Sequence, residues 1–285
     1  MLLRAAMTEF LTDWRADLSA AWRSVLQDID PAFADIRADL TFTVEQPIYP
    51  SRRVSPLAGA RPDAHVFRAF DATMPEDIRC VLVGQDPYPL ISRATGRSFE
   101  QGDLAGWDQA GVATSLKRLL QMIANERTAS TRFTLANGWH TLRSAIANGE
   151  LYFGSPRELF DRLHEQEGLL FLNASLTITR YLPGGAPEQL FGHIPLWSPI
   201  IGKVLSTLAQ RTTGHVVFLL LGTPAQRVAD KVRIREIAEQ TGVWRTRVDE
   251  VRLSHPASND FLSGPNPFHE VNARLANMGA APIRW

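Results

Sequence analysis

Ile78-Arg-Cys-Val-Leu-Val83, running into Gly84-Gln-Asp-Pro-Tyr-Pro89, is the stretch on which the reading of the fold turns. All of the first six residues but Arg79 are apolar. So short and continuous a run fits a strand buried on both faces. Leu169-Leu-Phe-Leu172 and Val216-Val-Phe-Leu-Leu-Leu221 repeat the pattern, and Val248-Asp-Glu-Val-Arg-Leu253 is a more mixed fourth run. Helical patterns lie between and beside them at 112–124, 156–166, 199–209 and 225–241. Strand alternating with helix predicts an α/β protein with a parallel sheet covered by helices.

Upstream, Phe10, Leu11, Trp14, Leu18, Trp22 and Leu26 recur at helical spacing and predict one amphipathic helix over residues 7–28. Residues 45–63 carry Pro47, Pro50, Pro56 and Pro62 and read as a loop, over a cleft or across the surface. The expected organisation is a single domain, 1–285, with residues 1–45 as a helical extension packed on it.

The chain has 285 residues, 45% apolar and 21% charged, with formal net charge zero. An all-over phosphate binder is disfavoured, so any nucleic-acid contact must come from a local patch. Arg52, Arg53, Arg93 and Arg97 loosely suggest one, although an ordinary solvated surface explains them equally. The single cysteine, Cys80, excludes an intramolecular disulfide and multi-cysteine metal sites, and reads as a core residue. The start shows no apolar secretory segment, and no run approaches the ~20 apolar residues of a bilayer span. The expectation is a cytoplasmic monomer.

In an open parallel sheet, ligands bind beyond the carboxyl ends of the strands. There the chain places Gly84-Gln-Asp-Pro-Tyr88, Asn173-Ala-Ser175, Gly222-Thr-Pro224 and Ser254-His-Pro-Ala-Ser258. Each has a bland reading: Asp86 as a turn former, Asn173 as a helix cap, His255 as a structural histidine. Four polar strand ends on one rim favour a site. No G-x-G-x-x-G, Walker loop, G-x-S-x-G elbow or zinc-deaminase pattern is present.

These strand ends resemble, in order, the signatures of the first uracil-DNA glycosylase family. Gly84-Gln-Asp-Pro-Tyr88 is similar to its water-activating loop. Phe99 falls at the aromatic that stacks on uracil, and Thr114-Ser-Leu116 resembles a phosphate loop. Leu170-Phe-Leu-Asn173 resembles the base-reading strand end, Ser254-His-Pro256 the start of the family's H-P-S-P-L-S, and Pro282-Ile-Arg-Trp285 its chain end. The family fold is three-layer α/β/α around a central four-stranded parallel sheet, in keeping with the runs above.

The resemblance implies excision of a flipped uracil from single- or double-stranded DNA, leaving an abasic site in base-excision repair, with no cofactor, no metal and no membrane partner. Asp86 would stabilise the sugar cation and position water, and His255 would donate a neutral N–H to uracil O2. Phe99 would stack on the base and Asn173 would read O4 and N3. Tyr88 would exclude the thymine methyl, and Gln85 would add a backbone donor. Ser115, Thr223 and Ser258 would hold phosphates. Two departures stand out. Pro89 replaces the histidine that closes the family's water-activating loop, and residues 257–263 lack a clear leucine wedge, leaving Phe261 or Leu262. The second departure points to weakened duplex flipping and a preference for single strands. A divergent homologue acting on a modified base or foreign DNA, and a non-catalytic uracil-DNA binder, are the alternatives. All depend on Asp86, Asn173 and His255 meeting in one pocket with Phe99 as its floor.

Overall fold

The computed structural model describes residues 1–43 and 45–285. Four strands form its sheet: β1 (Cys80–Gly84), β2 (Leu169–Asn173), β3 (Val216–Leu221) and β4 (Val248–Leu253). All pairings are parallel, in the order β2-β1-β3-β4. Strand side chains alternate between two cores, as pleating requires. Val81, Val83, Leu170, Leu172, Phe218 and Leu220 face one. Cys80, Leu82, Leu169, Phe171, Leu219 and Val251 face the other. With both faces covered, β1 and β3 must be apolar throughout, which is why their runs are continuous.

Nine α-helices among the described residues cover the sheet: α1 (Leu3–Phe10), α2 (Ala20–Val25), α3 (Thr114–Thr128), α4 (Gly138–Ala147), α5 (Pro156–Glu165), α6 (Ile194–Ala209), α7 (Thr223–Val232), α8 (Ile234–Gln240) and α9 (Pro267–Asn277). The first core takes α1, α2, α6, α7 and α8, and the second takes α3, α4, α5 and α9. Ser155 and Glu158 start α5 with a reciprocal capping box. None of these helices is long and apolar enough to cross a membrane.

The expected helix over 7–28 is two helices and a single 3-10 turn, Trp14–Asp17. Asp13 adopts φ 52° and Leu18 is extended, breaking the chain on either side of that turn. Leu11, Trp14, Leu18, Trp22 and Leu26 are nonetheless buried, so the spacing marked the inward face correctly and its continuity wrongly. The Trp22 indole N–H donates to Thr73 O at 2.8 Å, tying this segment to the body. The expected helix over 225–241 likewise breaks at Arg233, which adopts φ 63°. Helix α6 begins upstream of the expected start and carries Pro199 inside it. Helices α4 and α9 have no counterpart in the sequence reading.

β1 lies between β2 and β3, so the chain leaves it in opposite directions for its two neighbours. This is the switch point beyond which α/β sheets hold ligands.

Candidate active site

Beyond the carboxyl end of β1 opens a cleft of about 690 Å³ lined by Asp86, Tyr88, Phe99, Ser115, Asn173 and His255, with Gln85 at its edge. The three residues that had to meet share one cavity with Phe99, although they come from three strand ends.

Two glycines make room for them. Gly84 pairs in register with Asn173. A Cβ on Gly84 would sit 2.5 Å from Asn173 Oδ1 and 2.8 Å from Ser98 Cβ. Gly222 follows β3 at φ +88°, and a Cβ there would meet His255 Cβ at 2.7 Å. Only a residue without a side chain lets the amide and the imidazole occupy these positions. Backbone bonds from Ala174 N to Gly84 O (2.9 Å) and from Ser175 N to Gln85 O (3.0 Å) latch the two strand ends together.

Asp86 is partly buried, and desolvation pushes its carboxyl up to about 6. Opposing that rise, the Gln189 side-chain amide donates to Asp86 Oδ1 at 2.5 Å. Gln189 is itself buried and opens a single π-helical turn, Gln189–His193, before α6. Such turns recur at functional sites because they displace one residue from the helical register. Behind it, the Trp197 indole donates to Thr177 Oγ1 at 2.7 Å, and Thr177 lies 2.8 Å from His193 Nδ1. Sequence reasoning missed Gln189, because no local pattern shows that it meets a carboxylate 103 positions away.

His255 receives the Ala257 N–H on Nδ1 at 3.0 Å. In the neutral ring that places the proton on Nε2, and desolvation lowers the imidazole pKa, favouring the neutral form. Phe99 holds φ +61°, a rare conformation for an aromatic residue, and its ring centroid lies 6.4 Å from that of His255. The Tyr88 hydroxyl, which burial pushes up to about 12, reaches Phe99 O at 3.5 Å and Ser115 Oγ at 3.3 Å. Tyr88, Phe99 and Ser115 thus form one wall.

Other expectations need correction. Phe261 is buried in the second core, where its 3-10 turn packs against α3, and cannot enter a base stack. Leu262 is partly buried against the same core. Ser258 spends its hydroxyl on His255 O at 2.7 Å, and Arg118 from α3 donates to the Pro256 carbonyl at 3.1 Å and to that of Ser258, so this loop is braced from within. Thr223 is exposed at the start of α7 but does not line the cleft. The suggested basic path is neutralised: Arg52 pairs with Asp17, Arg53 with Asp71, Arg93 with Asp103 and Arg97 with Asp161. Arg52 is also buried, donating to the carbonyls of Phe10 and Thr12. The proline-rich loop is pinned beside the cleft where Tyr49 and Ile178 exchange backbone hydrogen bonds at 2.9 Å.

No family model matches the chain. Curated relatives do: the uracil-DNA glycosylase of Lacticaseibacillus casei is 28% identical over 270 residues, covering 93% of this chain and 92% of its own. That of Bordetella pertussis is 28% identical over 277 residues, covering 95% and 88%. Among solved structures, wild-type UNG of Nitratifractor salsuginis matches with a TM-score of 0.61 at 21% identity, covering 98% of both chains. Mimivirus uracil-DNA glycosylase matches with a TM-score of 0.60 at 17% identity, covering 100% of this chain and 93% of its own. By fold, by the order of its strand-end motifs and by these relatives, the chain is a divergent relative of the uracil-DNA glycosylases.

Proposed function

We propose that the chain hydrolyses the N-glycosidic bond of a flipped-out uracil in DNA, leaving an abasic site. The observation that carries this reading is the shared cleft: a carboxylate, a carboxamide, a neutral imidazole and an aromatic ring around one opening. The target base is unreachable inside a duplex and must be extruded. Phe99 offers its face to the base, a contact worth roughly 1 to 3 kcal/mol. The Asn173 side chain offers one donor and one acceptor, the complement of uracil O4 and N3–H. Tyr88 fills the space a C5 methyl would need.

Bond cleavage leaves positive charge on the sugar and negative charge on the departing base. The Asp86 carboxylate stabilises the first and orients the attacking water, which delivers hydroxyl to the sugar carbon while its proton passes to the carboxylate and the departing base leaves with the bonding electron pair. The His255 Nε2–H donates to uracil O2 as charge gathers there. Groups fixed in place before the reaction need no reorganisation in the transition state. Ser115 at the cleft wall suits a flanking phosphate.

The test is alkaline cleavage of a uracil-containing oligonucleotide, with thymine, cytosine and 5-hydroxymethyluracil substrates beside it. Uracil alone should be excised, and Asp86→Asn should lower turnover at least roughly 10²-fold while uracil-DNA binding persists. Binding without cleavage by the unaltered protein would instead support a non-catalytic uracil-DNA binder.

A further inference from the structure

The segment between Ile178 and Gln189 has no part in the chemistry above, yet it borders the same cleft. Arg180 and Glu188 close it with a two-point ion pair, Nε and Nη2 each 3.0 Å from a carboxylate oxygen. Gly184 and Gly185 turn its tip at φ +83° and +97°. Leu190 packs so closely under Gly185 that a Cβ there would meet Leu190 Cδ2 at 2.8 Å. The result is a braced loop with two large apolar side chains on its outside. Tyr181 is 61% and Leu182 41% exposed, and both line the cleft that holds Asp86, Asn173 and His255.

Other large apolar side chains are exposed elsewhere, among them Val54, Leu135 and Tyr152, but those three lie away from the cleft, whereas Tyr181 and Leu182 form part of its lining. The loop's charge is also informative. Arg180 is matched by Glu188, so the loop offers apolar surface with no free cation, which suits nucleobases and not phosphates. In the loop after His255, Ala257, Asn259, Asp260 and Ser263 are exposed while Phe261 is buried. Leu262, the other apolar side chain of that loop, is packed against the second core, and exposed Asp260 would be repelled by the DNA backbone. Extruding a nucleotide from a duplex leaves a gap, which proteins fill with apolar wedges.

We propose that the 181–182 loop is the wedge of this protein, with Leu182 entering the gap left by the flipped nucleotide and Tyr181 stacking on the neighbouring base. The proposal rests on the uracil-excision reading and relocates the wedge from the loop after His255 to the loop after β2. A wedge matters in proportion to the cost of unpairing, which is highest for a matched base and least for a mismatched or single-stranded one.

Single-turnover excision by the full chain, measured for U·A duplex, U·G duplex and single strand, gives three different demands on it. Tyr181→Ala with Leu182→Ala should lower the rate roughly tenfold or more on U·A, less on U·G and least on single strand. Tyr181→Trp should keep the U·A rate within about threefold, since any flat aromatic can stack. A 2-aminopurine beside the uracil should brighten on binding the unaltered protein and much less with the double variant. Equal losses on all three substrates, or no loss on any, would overturn the wedge assignment while leaving the excision reading intact. No excision by the unaltered protein would sink the excision reading itself.

Discussion

Burial holds the Asp86 carboxyl near pH 6, and Gln189 keeps it from rising further. The proposed reaction needs the carboxylate, so excision should fall as pH drops through about 6. Removing the amide donor leaves the charged form less stabilised and moves that limb to higher pH. For Gln189→Ala we expect the acidic limb of the kcat/KM profile to shift upward and turnover at pH 7 to fall roughly tenfold. A lower rate with an unmoved limb would mean that Gln189 only packs. The resemblance implied a histidine closing the Asp86 loop where Pro89 stands. Gln189, from a distant segment, donates to Asp86, so a proline at position 89 does not leave the carboxylate unaccompanied. His255 has the opposite setting: burial lowers its pKa and the Ala257 N–H on Nδ1 favours the Nε2–H tautomer, which suits the uncharged donor of the proposed reaction.

At the scale of elements, strand pairing places the site. The β1–β2 register puts Gly84 opposite Asn173, and the missing side chain of one is the space for the other. Gly84 does not have a positive φ, so alanine fits the backbone and the clash is confined to Asn173 and Ser98. Gly84→Ala should therefore leave circular dichroism unchanged while displacing the amide. Displacements of about 1 Å cost on the order of 10²-fold in kcat/KM. Activity within threefold of the unaltered protein would show that Asn173 does not depend on this gap. Gly222→Ala is harsher, because it adds backbone strain at φ +88° to the contact with His255.

Asp86 also has a consequence for the molecule as a whole. Its folded pKa of about 6 lies above the ordinary carboxyl value of 3.8, so the folded state binds a proton more tightly than the unfolded chain. The ionised side chain therefore costs stability in full above about pH 6. That cost shrinks as pH falls through the window and is gone below 3.8. Asp86→Asn, which abolishes the charge, should raise the melting temperature at pH 7.5 by roughly 2 to 6 °C, with the gain fading towards pH 4. An equal or lower melting temperature at pH 7.5 would mean that the site does not strain the fold.

The sequence by itself determined the sheet and the address of the site. A strand covered on both faces must be apolar at every position, which makes β1, β2 and β3 visible as uninterrupted runs. Functional side chains of a parallel sheet follow its strands directly, which put Asp86, Asn173 and His255 on view. Phe99 was legible only through resemblance. The tertiary structure alone decided how those groups are served and what surrounds them. Gln189 meeting Asp86, the neutralised arginines, Phe261 turned inward and Tyr181–Leu182 left outside all depend on contacts between distant segments. The helix break at Asp13 depends on packing as well, since periodicity records which face is buried and not whether the backbone stays helical between buried positions.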